Sequence, residues 1–259
     1  MNSLRMLLRS PVRYGSRHLR MARFFSGATS DKLWGGRFAK DTDTRGVTWA
    51  ESLTCDEEMV VEDLWGSIAH VSMLGHQGIV PPDQAAQIIA TLSSFQDDFV
   101  AGKLDFFEER FAGHDDVHMN MEARLIDRLG MEIGGKMHTT RSRNDQVPVS
   151  SRLCGRNKTL ELRRAAIEAT KAFMNRATEE GADTAVMPGY THFQHAQPIS
   201  VAFWMTHYAY ALHRDLRRLK SSYDTIDENP LGGGGAYPNT LFLSPRTSIA
   251  CTVPCSTSI

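Results

Sequence analysis

The chain has 259 residues, with 29 Lys and Arg against 30 Asp and Glu, 41% hydrophobic and 8% aromatic. That composition excludes collagen-like, coiled-coil-only and wholly disordered chains, and the length allows one or two domains with a sizeable core. A formal net charge of -1 gives no general reason to expect nucleic acid or an anionic membrane as partner, no run comes near the roughly 18 apolar residues of a membrane span, and Cys55, Cys154, Cys251 and Cys255 make no disulfide framework in a chain this long.

Residues 1 to 30 hold six arginines, Arg5, Arg9, Arg13, Arg17, Arg20 and Arg23, and no acid. On a helix Leu4, Leu7, Leu8 and Val12 gather toward one side among them, and Arg23-Phe24-Phe25-Ser26 is similar to a mitochondrial processing site cut before Ser26. The expectation is an organelle-targeting peptide over residues 1 to 25, for a mitochondrion or alternatively a plastid. A disordered basic arm is the competing reading, and a start at Met21 would yield a cytosolic form. Without residues 1 to 25 the chain keeps 23 basic against 30 acidic residues, a net charge of -7.

Leu33-Trp34-Gly35-Gly36-Arg37-Phe38 is a compact aromatic and glycine segment, and polar residues 40 to 46 read as a loop, with regular structure expected beyond it. Residues 56 to 75 then predict a helix: Val60, Val61, Leu64, Ile68 and Val71 recur three and four apart, and Gly75 can end it. Pro81-Pro82 and Asp83 open a second helix, with Ala86, Ile88, Ile89 and Leu92 as its buried candidates. A third is expected near 116 to 129, where Val117, Met121, Leu125 and Leu129 stand four apart and Asp115 and Asp116 sit at the start, which the helix dipole favours.

Two longer stripes decide the predicted architecture. Leu153, Leu160, Ile167 and Met174 are spaced by sevens, so residues 146 to 180 predict a long bundle helix, with Pro148 tolerated only in its first turn and the start therefore placed near Gln146 or Val147. From Pro198 a second stripe runs through Val201, Met205, Tyr208, Leu212, Leu216, Leu219, Tyr223 and Ile226. No segment alternates with period two, so no strand is expected. The predicted fold class is all-α: a small helical N-terminal domain over residues 26 to 145, then the first long helices of a central bundle over 146 to 235. Residues 236 to 259 hold eight Ser or Thr, three Pro and one charge, Arg246, and read as a loose, unrelated tail.

Candidate chemistry concentrates in two places. His138-Thr139-Thr140-Arg141-Ser142-Arg143-Asn144-Asp145-Gln146 contains no apolar residue and precedes the first long helix. Arg forks, a Ser hydroxyl and helix N-terminal N–H groups suit a small carboxylate, while a capped, solvated loop accounts for the composition equally well. Pro188-Gly189-Tyr190-Thr191-His192-Phe193-Gln194-His195-Ala196-Gln197-Pro198 reads as a polar loop between the long helices. There His192 can serve as a proton-transfer group or as a hydrogen-bonded surface residue. A helix about 45 to 50 Å long separates the two segments, so a shared site must be built between subunits. His114, Asp115, Asp116 and His118 lack the context of a metal site, and no metal is expected. Gly232 to Gly235 follow a helix and read as a flexible turn, not a phosphate loop.

In this order the segments Leu33 to Phe38, Asp115-Asp116-Val117-His118, His138 to Gln146 and Pro188 to His192 resemble the argininosuccinate lyase family of the fumarase and aspartase superfamily. Ser52-Leu53-Thr54-Cys55-Asp56 and Asn229-Pro230-Leu231-Gly232 extend the resemblance, which runs from about Leu33 to Gly235. It implies reversible cleavage of argininosuccinate to arginine and fumarate, with no metal or organic cofactor, by a homotetramer whose sites combine segments of three subunits. By position, His192 matches the acid-base histidine, Thr191 a carboxylate-binding threonine, and Ser142, Arg143 and Asn144 the substrate-binding stretch; Ser52, Asp56 and Asp116 match further contacts. Thr140 stands where the family has glycine, and His195 where Arg is common. The family's G-S-S-x-M-P-x-K-x-N-P loop, with its catalytic serine, does not occur in these 259 residues, so a truncated chain is the expectation. The alternative class is a catalytically inactive, crystallin-like or regulatory homologue that assembles with a full-length lyase.

Overall fold

The computed structural model describes residues 43–105 and 116–231. The expected leader, the Leu33 to Phe38 segment, His114 and Asp115, the glycine run and the 236–259 tail lie outside the described residues. The chain divides into two units between Thr139 and Thr140.

The first unit begins with α1 (Thr44–Ala50), which overlaps the segment expected to be a loop. The polar residues that suggested a loop open the helix instead: Asp43 Oδ1 accepts from the Arg45 amide at 2.9 Å, and the Asp43 carbonyl accepts from Gly46 N. After α2 (Leu53–Asp56) and a 3-10 turn (Glu57–Met59), α3 (Val60–His76) buries Val60, Leu64, Val71 and Leu74. Gly75 does not end it. The chain turns at Gly78, whose φ of +71° favours glycine, while Ile79 N donates back to Leu74 O. Gly75 has a packing role: a Cβ there would lie 2.8 Å from that of Ala85 on α4 (Pro82–Val100). Helix α4 buries Ala85, Ile88, Leu92 and Phe95, so the face expected from Ala86 is rotated by one residue toward α3. Next come α5 (Val117–Leu129), which buries Val117, Met121 and Leu125, then α6 (Met131–Gly134) and a 3-10 turn, Gly135–His138. Each fully buried aliphatic side chain here contributes about 1.5–3 kcal/mol.

The second unit is built on α7 (Arg143–Ala177), 35 residues long. It starts before the predicted Gln146 or Val147, because Ser142 Oγ accepts from Asn144 N at 3.2 Å and caps it there. Pro148 consequently lies inside the helix, with no N–H to give the carbonyl of Asn144 four residues earlier. Beyond Gly181, with φ +82°, the segment expected to be a loop forms two antiparallel strands, β1 (Val186–Thr191) and β2 (Gln194–Ser200), before α8 (Val201–Ile226). This hairpin corrects the strand-free expectation. Both its faces are largely exposed, so no apolar alternation marks it, and Pro188 pairs directly with Pro198, which a two-stranded ribbon tolerates at its solvent edges. Helices α7 and α8 run antiparallel: a Cβ at Gly155 would lie 3.5 Å from Ile226 near one end, and Phe173 stacks on Tyr208 at 5.3 Å toward the other. Near the Gly155 end Arg156 binds Asp227 at 2.8 Å and lies over the Tyr223 ring. The described chain is predominantly helical, as the stripes predict.

Candidate active site

In the first unit, Ser52 and Asp56 form one turn. Ser52 Oγ donates to Asp56 Oδ2 at 2.6 Å, and the Ser52 carbonyl accepts from the amides of Cys55 and Asp56 at 2.9 Å each. Asp56 is buried and Ser52 half-buried. Asp116 has extended backbone and caps α5, its Oδ1 accepting from Met119 N at 2.6 Å. This leaves its second oxygen unused by the cap. His118, two residues on, is no surface ligand: it is buried, with Nδ1 at 2.7 Å from Asp63 Oδ1 on α3. His70 Nε2 donates to the carbonyl of Thr139 at 2.9 Å and ties down the last residue of this unit. Among the described residues no group of His, Cys, Asp and Glu is placed to hold a metal ion.

In the second unit, Thr140 has φ +58°, the left-handed region that a β-branched residue adopts only with strain, at the position where the resembled family carries glycine. Arg141 is buried, Ser142 is the α7 cap, Arg143 Nη1 donates to Gln146 Oε1 at 2.5 Å, and Asn144 is exposed. The segment is a capped helix start that also presents a guanidinium and an amide beside N-terminal N–H groups, where an anion is favoured.

Thr191 and His192 stand at the tip of the hairpin. Thr191 pairs with Gln194, and the two-residue turn His192–Phe193 has φ values of +48° and +62°. Positive φ at both central positions is the turn that fits strand twist, usually filled by Asn-Gly. With Thr140, these are the non-glycine residues with left-handed backbone among those described, and all three fall in the two candidate segments. His192 is exposed and Phe193 is 95% exposed. Behind the turn Tyr190 pairs with His195, Oη to Nε2 3.3 Å and rings 4.9 Å apart, below a bulge at Gly189, where a Cβ would come within 3.0 Å of Gln197 O.

Within the second unit the two segments do not meet. Helix α7, at about 1.5 Å per residue, spans roughly 50 Å; the Phe173–Tyr208 stack sets the start of α8 beside its far end, where Val201 N donates to Ala185 O, and from there six extended residues reach back at most about 20 Å, so His192 stays at least about 20 Å from Asn144. Residue type and order had singled out Ser142 to Asn144 and His192. They had not singled out Asp63 as the partner of His118, 55 positions away, nor the Tyr190 and His195 pair, because neither leaves a local signature.

The sequence pattern of the lyase family matches residues 36–251, running past Gly235, where the motifs quoted above stop. Argininosuccinate lyase from Desulforamulus reducens is 41% identical over 209 residues, 81% of this chain and 44% of that protein. That from Heliobacterium mobile is 41% identical over 221 residues, 85% and 46%, and argininosuccinate lyase 2 from Shouchella clausii 42% identical over 219 residues, 85% and 46%. The chain thus spans under half the length of these curated relatives. Among solved structures, EDDS lyase in complex with formate is 28% identical with a TM-score of 0.63, over 80% of this chain and 39% of that one. A fumarate lyase:delta crystallin from Brucella melitensis bound to cobalt, 18% identical with a TM-score of 0.62 over 84% and 48%, shares the fold. With the family pattern covering most of its length, the chain belongs to the lyase family, and its resemblance there is to the argininosuccinate lyases.

Proposed function

We propose that this chain supplies the N-terminal and part of the central machinery of an argininosuccinate lyase, which breaks argininosuccinate into arginine and fumarate during arginine biosynthesis. The observation that carries the proposal is the pair of segments with left-handed backbone, Thr140 to Asn144 at the start of α7 and Thr191 to His192 at the hairpin tip. Their residue types suit a dicarboxylate and a proton transfer.

The reaction is a β-elimination. A base removes the proton beside a carboxylate, the carbanion is held as an aci-carboxylate by hydrogen-bond donors, and an acid protonates the departing guanidinium nitrogen. In this reading Ser142, Arg143, Asn144 and Thr191 hold the carboxylates, His192 polarises the substrate or relays a proton, and Ser52, Asp56 and Asp116 make further contacts, without metal or organic cofactor. The separation of His192 from Asn144 along one chain calls for segments from neighbouring copies, and a homotetramer with sites shared between subunits meets that need. The arginine-rich residues 1 to 25 support import into a mitochondrion, with a plastid as the alternative.

The test is fumarate release from argininosuccinate, followed by ultraviolet absorbance, with the full chain and its His192→Ala variant. The expected result is argininosuccinate binding by the parent, with any fumarate release lost in the variant. No fumarate from either, with argininosuccinate still bound, reduces the chain to a ligand-binding homologue; no binding overturns the reading.

A further inference from the structure

The Ser52 to Asp56 turn leads into the N-terminal end of α3, and Asp116 caps the N-terminal end of α5. The first residues of these helices, Val60 and Val117, lie 57 positions apart in sequence with all of α4 between them. A buried contact joins them. Asp63, in the first turn of α3, meets His118, the second residue of α5, at 2.7 Å between Oδ1 and Nδ1, with side chains 2% and 1% exposed.

We infer that Asp63 and His118 are positioning residues, which hold the Ser52 to Asp56 turn and the Asp116 cap in fixed register at one end of the first unit. The carboxylate accepts, so the imidazole carries its proton on Nδ1, and a charge-assisted hydrogen bond away from water is short and directional. Direction is the important property. Apolar packing of Val117, Met121 and Leu125 buries one face of α5 but tolerates small rotations about the helix axis, whereas a bond from its first turn to α3 fixes that rotation. Asp116 is two residues from His118 on the same turn, so the rotation sets where its second oxygen points. Asp63 is the fourth residue of α3, seven positions after Asp56, so the same bond anchors the other carboxyl. The pair acts through these groups and not on the substrate. Its catalytic meaning rests on the lyase reading above; the coupling itself does not.

Amide hydrogen exchange on the full chain tests it, with His118→Leu, Asp63→Ala and the conservative His118→Asn, whose side-chain nitrogen can stand where Nδ1 does. The monitored amides are Cys55 and Asp56, which donate to Ser52 O, and Met119 and Asn120, which donate to Asp116. His118→Leu and Asp63→Ala are expected to speed exchange at both sets by about tenfold or more, with α4 near parental rates and His118→Asn retaining most of the protection. Acceleration confined to the substituted segment, uniform acceleration that includes α4, or equal loss in the Asn and Leu variants would overturn the inference. Should His118→Leu not fold, nitrogen NMR of the parent decides: Nδ1 protonated at neutral pH is expected, and a tautomer protonated on Nε2 alone overturns it. Fumarate titration separates the two readings. Shifts at Asp56 and Asp116 in the parent that weaken in Asp63→Ala support both. No shift in the parent counts against the lyase reading and leaves the exchange pattern to judge the pair.

Discussion

Asp116 carries a helix cap and a candidate substrate contact on one side chain, and two substitutions pull these roles apart. Asp116→Ala removes the acceptor of the 2.6 Å bond from Met119 N. Losing such a cap costs about 1 kcal/mol, and losing a negative charge at the positive end of α5 adds roughly 0.3–1 kcal/mol. Asp116→Asn keeps an acceptor of the same reach and loses only the charge term. With a urea slope of about 1–3 kcal/mol per molar, the Ala variant should lower the midpoint of the first unit by about 0.4–2 M and the Asn variant by about half of that or less. Far-ultraviolet circular dichroism during urea titration measures the stability arm, and calorimetric titration with argininosuccinate measures the other. Binding should weaken in both variants alike, because both lose the carboxylate. Equal destabilisation by Asn and Ala would refute the cap argument, and parental affinity in the Asn variant would make Asp116 a cap and nothing more.

Three further outcomes follow from particular contacts. Gly75→Ala should lower thermal stability by about 1–3 kcal/mol, although alanine is the better helix former, because its Cβ arrives 2.8 Å from that of Ala85; a raised Tm would show that α3 and α4 part at no cost. Thr140→Gly should raise the Tm, since relief of roughly 1–2 kcal/mol of left-handed strain exceeds the about 0.5–1 kcal/mol that glycine loses in chain entropy; a lower Tm would mean that the φ of +58° carries no strain. The α7 and α8 pair exposes Met174, Trp204 and Tyr208 substantially and Phe203 to 67%, so the chain should self-associate in sedimentation at micromolar concentration, less so with Phe203→Glu; a monomer that unfolds cooperatively would refute this.

The helices were legible because their signals are local. Val117, Met121 and Leu125 recur at helical spacing, and they are the residues α5 buries. The stripes of α7 and α8 were equally plain, as was the capping chemistry ahead of α7, although Ser142 moved that start earlier than Pro148 suggested. The hairpin was not legible. A strand is recognised by alternation between a buried and an exposed face, and a ribbon exposed on both faces has none, so Pro188, Gly189 and Pro198 read as loop residues. Gly75 shows the same limit from the other side. Its residue type marked a helix end, while its reason for being there was Ala85, ten positions away on another helix.

By itself the order of residues determined the helical class, the family resemblance and the candidate residues Ser142, Arg143, Asn144, Thr191 and His192, because helix periodicity and motif spacing are properties of neighbours along the chain. Only the tertiary structure decided that Asp63 holds His118, that Thr140, His192 and Phe193 bear left-handed backbone, and that α7 keeps His192 far from Asn144 within one chain. These depend on which distant surfaces come together and on how far a rigid helix carries them apart, and no local pattern encodes either.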